Sequence, residues 1–163
     1  MPEVKINTAY PVIDTDPHFL RVVRYFRPSD YAMWTACTVG GPAFMLAFEK
    51  VSPTYQRLGV PLKVATLLGA MGGFLFAYQR SSMRFWGWTE NEREYDIDMK
   101  EMRQRLREGK SLYGESDLDL FNQASAARQS RYAALKFSWL PWFNFVNHPF
   151  HGVDPKKYED EEY

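Results

Sequence analysis

The chain has 163 residues and no net formal charge, with a pI near 6.8, so it carries no basic footprint of the kind that neutralises nucleic-acid phosphates. Its single cysteine, Cys37, excludes an internal disulfide framework and any multi-cysteine metal centre. Charged residues reach 25% and mean hydropathy is −0.44, but the charges crowd into the N-terminal region, residues 80–131 and the extreme C-terminus, leaving two windows almost without charge.

The N-terminal stretch, Met1 to Asp16, reads as extended and irregular, with Pro11 turning the preceding residue away from the α region. No apolar core follows the start and no arginine occurs before Arg21, so neither a secretory signal nor a cleavable mitochondrial presequence is expected. From His18 to Arg27, HFLRVVRYFR alternates bulky apolar and cationic residues. Arg21, Arg24 and Arg27 would form a stripe beside Phe19, Val22, Val23 and Phe26, as in a segment lying on a membrane surface. Pro28-Ser29-Asp30 then reads as a stop followed by a helix N-cap.

The first charge-free window runs from Tyr31 to Phe48, just long enough to cross a bilayer, with Tyr31 and Trp34 at its start and Pro42 kinking its middle. A polar connection with turn chemistry at Ser52-Pro53 leads into the second window, from Val60 to Gln79. There Ala65, Gly69, Gly73 and Ala77 recur every fourth residue; in the first window Ala32, Ala36 and Gly40 do the same. Small-xxx-small stripes let helix backbones approach closely. The windows are therefore expected to be antiparallel spans of a hairpin.

Beyond Arg80-Ser81-Ser82-Met83-Arg84-Phe85-Trp86, the stretch from Glu90 to Arg107 is charged and helical in pattern. Its narrow apolar stripe is Tyr95, Met99, Met102 and Leu106, its i,i+4 pairs are Asp96–Lys100 and Glu101–Arg105, and Gly109 is its stop. A further helix is expected from Asp117 to about Phe137, capped by Ser116, with Leu120, Phe121, Ala124, Tyr132 and Leu135 inward. The aromatic run from Phe137 to Gly152, broken by Pro141 and Pro149, is expected along an interface, and the last residues, DPKKYEDEEY, as a solvated acidic tail. The expected division is thus an arm over 1–28, a transmembrane hairpin over 29–80 with spans at 31–48 and 60–79, and an extramembrane helical, aromatic-rich extension over 81–163. The fold class is an all-α membrane protein.

No catalytic, cofactor-binding or metal-ligating residues are expected. His148 and His151 have a metal-compatible spacing but no third ligand close in sequence, and with Pro149 between them an interfacial turn is the better reading. The carboxylates Glu90, Glu92, Glu94, Asp96 and Asp98 lack the glycine turn of a calcium loop and read as a solvated helix face. Neither span carries Asp or Glu for a proton relay. What remains is contact surface. Arg21, Arg24, Arg27, Arg80 and Arg84 would form a basic-aromatic collar able to hold anionic lipid such as cardiolipin. The same cations, by the positive-inside rule, put both termini on the matrix or cytoplasmic side.

The strings YPVIDTDPHFLRVVRYFRPSDY (10–31), AYQRSSMRFWG (77–87) and WFNFVNHPFHGVD (142–154) resemble the fungal accessory 21-kDa (NUXM-type) subunits of mitochondrial NADH:ubiquinone oxidoreductase, respiratory complex I. That resemblance implies an inner-membrane accessory subunit, without catalytic residues, that supports assembly and stability among other membrane-arm subunits. The rivals are a two-span assembly factor or translocase component absent from the mature complex and, more distantly, a soluble helical enzyme domain.

Overall fold

The computed structural model describes residues 7–55, 57–133 and 142–159. Among these the regular elements are all helices, with no strand: α1 (Phe19–Arg24), α2 (Pro28–Val51), α3 (Gly59–Phe85), α4 (Glu92–Arg107), α5 (Leu120–Ser130) and a short 3-10 helix, Pro155–Tyr158. The chain separates into two units. One, the hairpin unit, is Phe26–Ser81; the other, the terminal unit, joins Met1–Tyr25 to Ser82–Tyr163. The N-terminal arm is therefore no appendage of its own, because it folds with the C-terminal extension.

In the hairpin unit, α2 starts at Pro28, three residues ahead of the expected span at Tyr31. Arg27 is its N-cap and Pro28 fills the first turn, where a missing N–H costs nothing. Asp30, read from sequence as part of the cap, instead reaches back from the third helical position to accept from the Arg27 N–H at 2.8 Å. Its carboxylate is buried and lies 3.3 Å from Arg80 Nε of α3. The helices meet where side chains are smallest. A Cβ on Gly69 would run into the Cys37 carbonyl, one on Gly73 would sit 2.8 Å from the Trp34 carbonyl, and one on Gly41 would sit 2.6 Å from the Ala65 carbonyl. The Trp34 indole N–H completes the join by donating to the Ala70 carbonyl at 2.8 Å.

The α2 face thus differs from the expected stripe. Trp34, Cys37, Thr38 and Gly41 meet α3, whereas Ala32, Ala36 and Gly40 are exposed, with nothing within 4 Å of a Cβ on Gly40. Two adjacent glycines offered two registers, and the indole bond and the room needed by Trp34 select the second. On α3, Ala65 and Gly69 are half-buried, and Gly73 and Ala77 are buried.

Of the described helices only α3 is both long and apolar enough to cross a membrane, with a mean hydropathy of 1.6 over its best window and only 11% of that window buried. So little burial separates it from the core helix of a soluble domain. At 24 residues α2 has the length. Its apolarity is diluted by Thr35, Thr38, Gly40, Gly41 and Pro42, so the expected two spans reduce to one by this criterion.

In the terminal unit, backbone pairing ties the arm to the end of α3. The Ile13 N–H donates to the Phe85 carbonyl at 2.9 Å and Tyr10 to that of Gly87 at 3.2 Å, while Asn91 Nδ2 donates to the carbonyls of both Pro11 and Arg84 at 2.8 Å. Ile13, Val22, Phe85, Trp86, Met102, Ala127 and Ala133 form the apolar core. Helix α4 closes with a Schellman motif: Lys110 N–H donates to the Arg105 carbonyl at 2.9 Å and Gly109 N–H to that of Leu106 at 3.0 Å, with Gly109 at φ +64° as the left-handed residue.

Its inward face, however, is Glu94, Asp98 and Met102, while Leu106 is exposed, so the carboxylates expected in solvent include two wholly buried ones. Helix α5 begins at Leu120 with Asp119 as N-cap, its side chain accepting from Asn122 N–H at 3.1 Å, in place of Ser116. Leu120 and Phe121 point outward, 68% and 72% exposed, and the buried residues are Ala127 and Ser130. The expected last turn of this helix (134–137, with Leu135) and the start of the aromatic run (137–141) lie outside the described residues.

Candidate functional site

The terminal unit is organised around a buried polar clasp between two irregular segments that proline stiffens, Asp14-Thr15-Asp16-Pro17-His18 and Asn144–Gly152. Arg21, from α1, is its hub. This residue is only 8% exposed. Its Nη1 donates to Asp14 Oδ2 at 2.7 Å and its Nη2 to Asp98 of α4, and the guanidinium carbon lies 5.5 Å from the Phe85 ring centroid. Asp98 also accepts from the Tyr158 hydroxyl at 2.7 Å. One arginine thus joins the N-terminal arm, α4 and the C-terminal 3-10 helix.

His151 continues the network. Its Nδ1 lies 2.7 Å from Asp14 Oδ1 and its Nε2 lies 2.6 Å from the His148 carbonyl. Both ring nitrogens face oxygens. His148 is held differently. Its Nδ1 accepts from the Phe150 N–H at 3.1 Å, which places its proton on Nε2, 2.8 Å from Asp16 Oδ2. The two imidazoles stack with centroids 4.6 Å apart, and Tyr113 stacks on the other face of His151 at 3.6 Å. Asp16 takes a further bond from the Ser130 hydroxyl at 2.6 Å, and its carbonyl accepts from Asn144 Nδ2 at 3.1 Å. The Thr15 N–H and hydroxyl both donate to the His151 carbonyl, at 3.0 and 2.8 Å. Gly152, at φ +67°, is required beside them, since a Cβ there would meet the Thr15 side chain at 2.8 Å.

The electrostatics follow from burial and pairing. Burial alone raises the Asp14 carboxyl, but His151 and Arg21 outweigh it and hold the group down at about 2. Burial disfavours charge on Arg21, and Asp14 and Asp98 overcome this and raise it. Asp16 and Asp98 are raised, burial being the larger influence on each. The Tyr158 phenol is pushed up by burial and by the Asp98 carboxylate it serves.

Chemically the clasp is a fastening. Ser130, His148 and Asp16 are nucleophile, base and acid types, but serine and histidine both bond Asp16 Oδ2, so the carboxylate stands between them and the serine–histidine bond of a catalytic triad is not formed. No group of three or more ligand-type side chains suited to a metal occurs among the described residues.

Of the arginines expected to form a lipid collar, Arg21 and Arg84 are buried, and Arg84 lies 3.5 Å from Glu94. Arg24 pairs with Glu101 at 2.5 Å and is about half exposed. These three belong to the terminal unit, while Arg27 and Arg80 belong to the hairpin unit, Arg80 facing Asp30. Their positive charge is answered largely by carboxylates of the same chain. His148 and His151, read as an interfacial turn, are buried instead, and the expected solvated tail, 154–163, contains the buried Tyr158. The clasp had one visible trace in sequence. Two aspartates spaced by one residue and two histidines spaced by two sit in proline-bearing irregular segments, inside strings that carry the family resemblance.

Comparison with known proteins bears on those strings directly. Residues 7–90 match the family model of the NADH-ubiquinone oxidoreductase complex I 21 kDa subunit, and residues 99–163 match the model of that subunit's C-terminal region. The NADH-ubiquinone oxidoreductase 20.9 kDa subunit of Neurospora crassa is 51% identical over 156 residues, covering 94% of this chain and 82% of that protein. Asp14 and Asp16 fall in the first matched region, and Asp98 stands just before the second, which contains Asn144, His148, His151 and Tyr158. The chain belongs to the family of the 21 kDa subunit of NADH-ubiquinone oxidoreductase, complex I.

Proposed function

We propose that this chain is a non-catalytic accessory subunit resident in the membrane arm of complex I in the mitochondrial inner membrane, where it supports assembly and stability. Kinship to a named complex I subunit over nearly the whole chain carries the reading. The physical support is the outward surface of the hairpin unit. Val39, Phe44 and Phe48 of α2, with Leu67, Leu68 and Phe76 of α3, are each more than half exposed, an apolar surface that water does not tolerate and that lipid or membrane-arm subunits cover.

In this proposal α2 is a second span beside α3. A clasp of buried ion pairs joins the chain before α2 to the chain after α3, and such a folded unit does not straddle a bilayer. The intervening hairpin therefore enters and leaves on one side, which requires an even number of crossings. Both termini then share a side, the matrix by the positive-inside count.

The test is blue-native electrophoresis of gently solubilised mitochondrial membranes with the chain tagged and complex I located by in-gel NADH dehydrogenase activity. Co-migration with the full-size active band is expected. Residence only in partial assemblies favours the assembly-factor alternative, and absence from both refutes the complex I role. For topology, Thr54→Cys should react with an impermeant maleimide from the side opposite the termini.

A further inference from the structure

We propose that a cleft on the terminal unit binds the phosphate of an anionic phospholipid, gripped by Arg24 and Arg105. This deepens the membrane-subunit reading above and rests on it. The cleft encloses about 330 Å³, at the lower end of small-ligand sites, and lies among α1, α4 and the loops at 112–114 and 146–147.

At its wall, cations outnumber carboxylates. On the floor, Arg21 bridges the two carboxylates Asp14 and Asp98. At the wall, Arg24 Nη2 at 2.5 Å and Arg105 Nη2 at 3.2 Å converge on a single oxygen, Glu101 Oε1, while the Tyr25 hydroxyl donates to the other at 3.0 Å. Two guanidinium groups share one carboxylate. Burial raises the Glu101 carboxyl, and Arg24 and Tyr25 outweigh it and lower the group, so the carboxylate is ionised at neutral pH and answers one cation of the two. The remaining bonds of Arg105 go to the neutral carbonyls of Ser111 and Leu112, at 3.4 and 3.3 Å. Arg24 and Arg105 keep 56% and 33% of their side chains exposed, so both can turn their donor forks to an incoming anion. Arg21, buried beneath them, has no hydrogen-bond acceptor for its Nε–H. A phosphodiester brings one negative charge and accepts paired guanidinium donors.

The other half of the cleft selects the ligand class. Leu20, Met102, Leu112 and Val146 line it, and Leu20 is 66% exposed. A free anion would leave that leucine in water, whereas a lipid lays its glycerol and acyl carbons over it. Arg24 is separated from Pro28, where α2 begins, by only Tyr25, Phe26 and Arg27.

The experiment uses purified complex I containing the tagged chain, delipidated and resupplied with phosphatidylglycerol, phosphatidylcholine or inorganic phosphate. Native mass spectrometry then releases the subunit with what it holds. Wild type is expected to retain phosphatidylglycerol over phosphatidylcholine, and Arg24→Gln/Arg105→Gln to retain about tenfold less, the loss of roughly one charge-assisted hydrogen bond. Glu101→Gln removes the internal competitor and should raise retention, a gain that no folding defect produces. Equal retention in all three proteins overturns the proposal, as does displacement of phosphatidylglycerol by equimolar inorganic phosphate, which would mark a site for free anions. A tagged chain missing from the purified complex would instead break the subunit reading.

Discussion

The two units solve the problem of holding helices together by opposite means. In the hairpin unit the join is made by absence: glycines at 41, 69 and 73 remove side chains so that backbones touch, and the apolar side chains face outward. In the terminal unit it is made by charge, with Arg21, Asp14, Asp98 and His151 buried together and apolar residues packed around them. With the hairpin placed in lipid, as proposed above, the surroundings account for the contrast. In lipid, apolar side chains gain nothing by meeting each other, so close backbone packing is the available source of attraction. Away from lipid, ion pairs buried among apolar residues can fix which segments meet, because each charge must find its partner.

The largest expected effect tests the charged join. Arg21→Met removes the cation shared by Asp14 and Asp98 and leaves two buried carboxylates without it, which should cost about 3–5 kcal/mol. In thermal unfolding of the detergent-purified protein followed by near-UV circular dichroism, the transition reporting Tyr25, Trp86 and Tyr132 should move far down. An unchanged midpoint would mean that the clasp holds nothing. Next comes the backbone join. Gly73→Leu drives a side chain into Trp34 and Cys37 and should destabilise the hairpin by up to about 3 kcal/mol, lowering the assembled complex on native gels. Normal assembly would show that the two helices need not touch.

A third prediction separates the units by pH. The folded Asp14 group, at about 2, lies below its ordinary 3.8, so its stabilisation is complete above about pH 4 and is lost as pH falls through about 2. Asp16 and Asp98, both raised, work in the opposite sense, losing their contribution as pH rises through their folded values. Asp14 alone should supply on the order of 2 kcal/mol across that acid window. The readout is slope: the stability of wild type should fall between pH 4 and 2 more steeply than that of Asp14→Asn, and parallel limbs would remove Asp14 as the cause.

How legible each unit was in the sequence follows from the same difference. Helix α3 was visible because its signal is local: a long apolar run with small residues every fourth position states both the helix and its contact face. The same rule on α2 chose Gly40 over Gly41, because the choice was made by Trp34 reaching Ala70, a partner 36 positions away. The clasp was hidden for a similar reason. Asp98 on α4 looks like any solvent-facing acid until Arg21, 77 residues earlier, is placed against it, and α4 then turns carboxylates inward and leaves Leu106 outside. Leu120 and Phe121 misled in the reverse direction, since apolar character alone does not say whether a residue is buried in its own chain or reserved for another surface.

The smallest predicted effect bears most finely on that choice of register. Gly40→Ala meets nothing within 4 Å and trades a flexible helical glycine for alanine, so it should leave the hairpin unchanged or stabilise it by about 0.5–1 kcal/mol. Gly41→Ala, one position on, places its Cβ 2.6 Å from the Ala65 carbonyl and must push the helices apart. Gly41 also precedes Pro42, which disfavours a helical alanine there, so the pair is compared again in a Pro42→Ala background to isolate the contact. Opposite signs would fix Gly41 as the residue at the crossing. Equal shifts, or destabilisation by Gly40→Ala alone, would return the contact face to Ala32, Ala36 and Gly40.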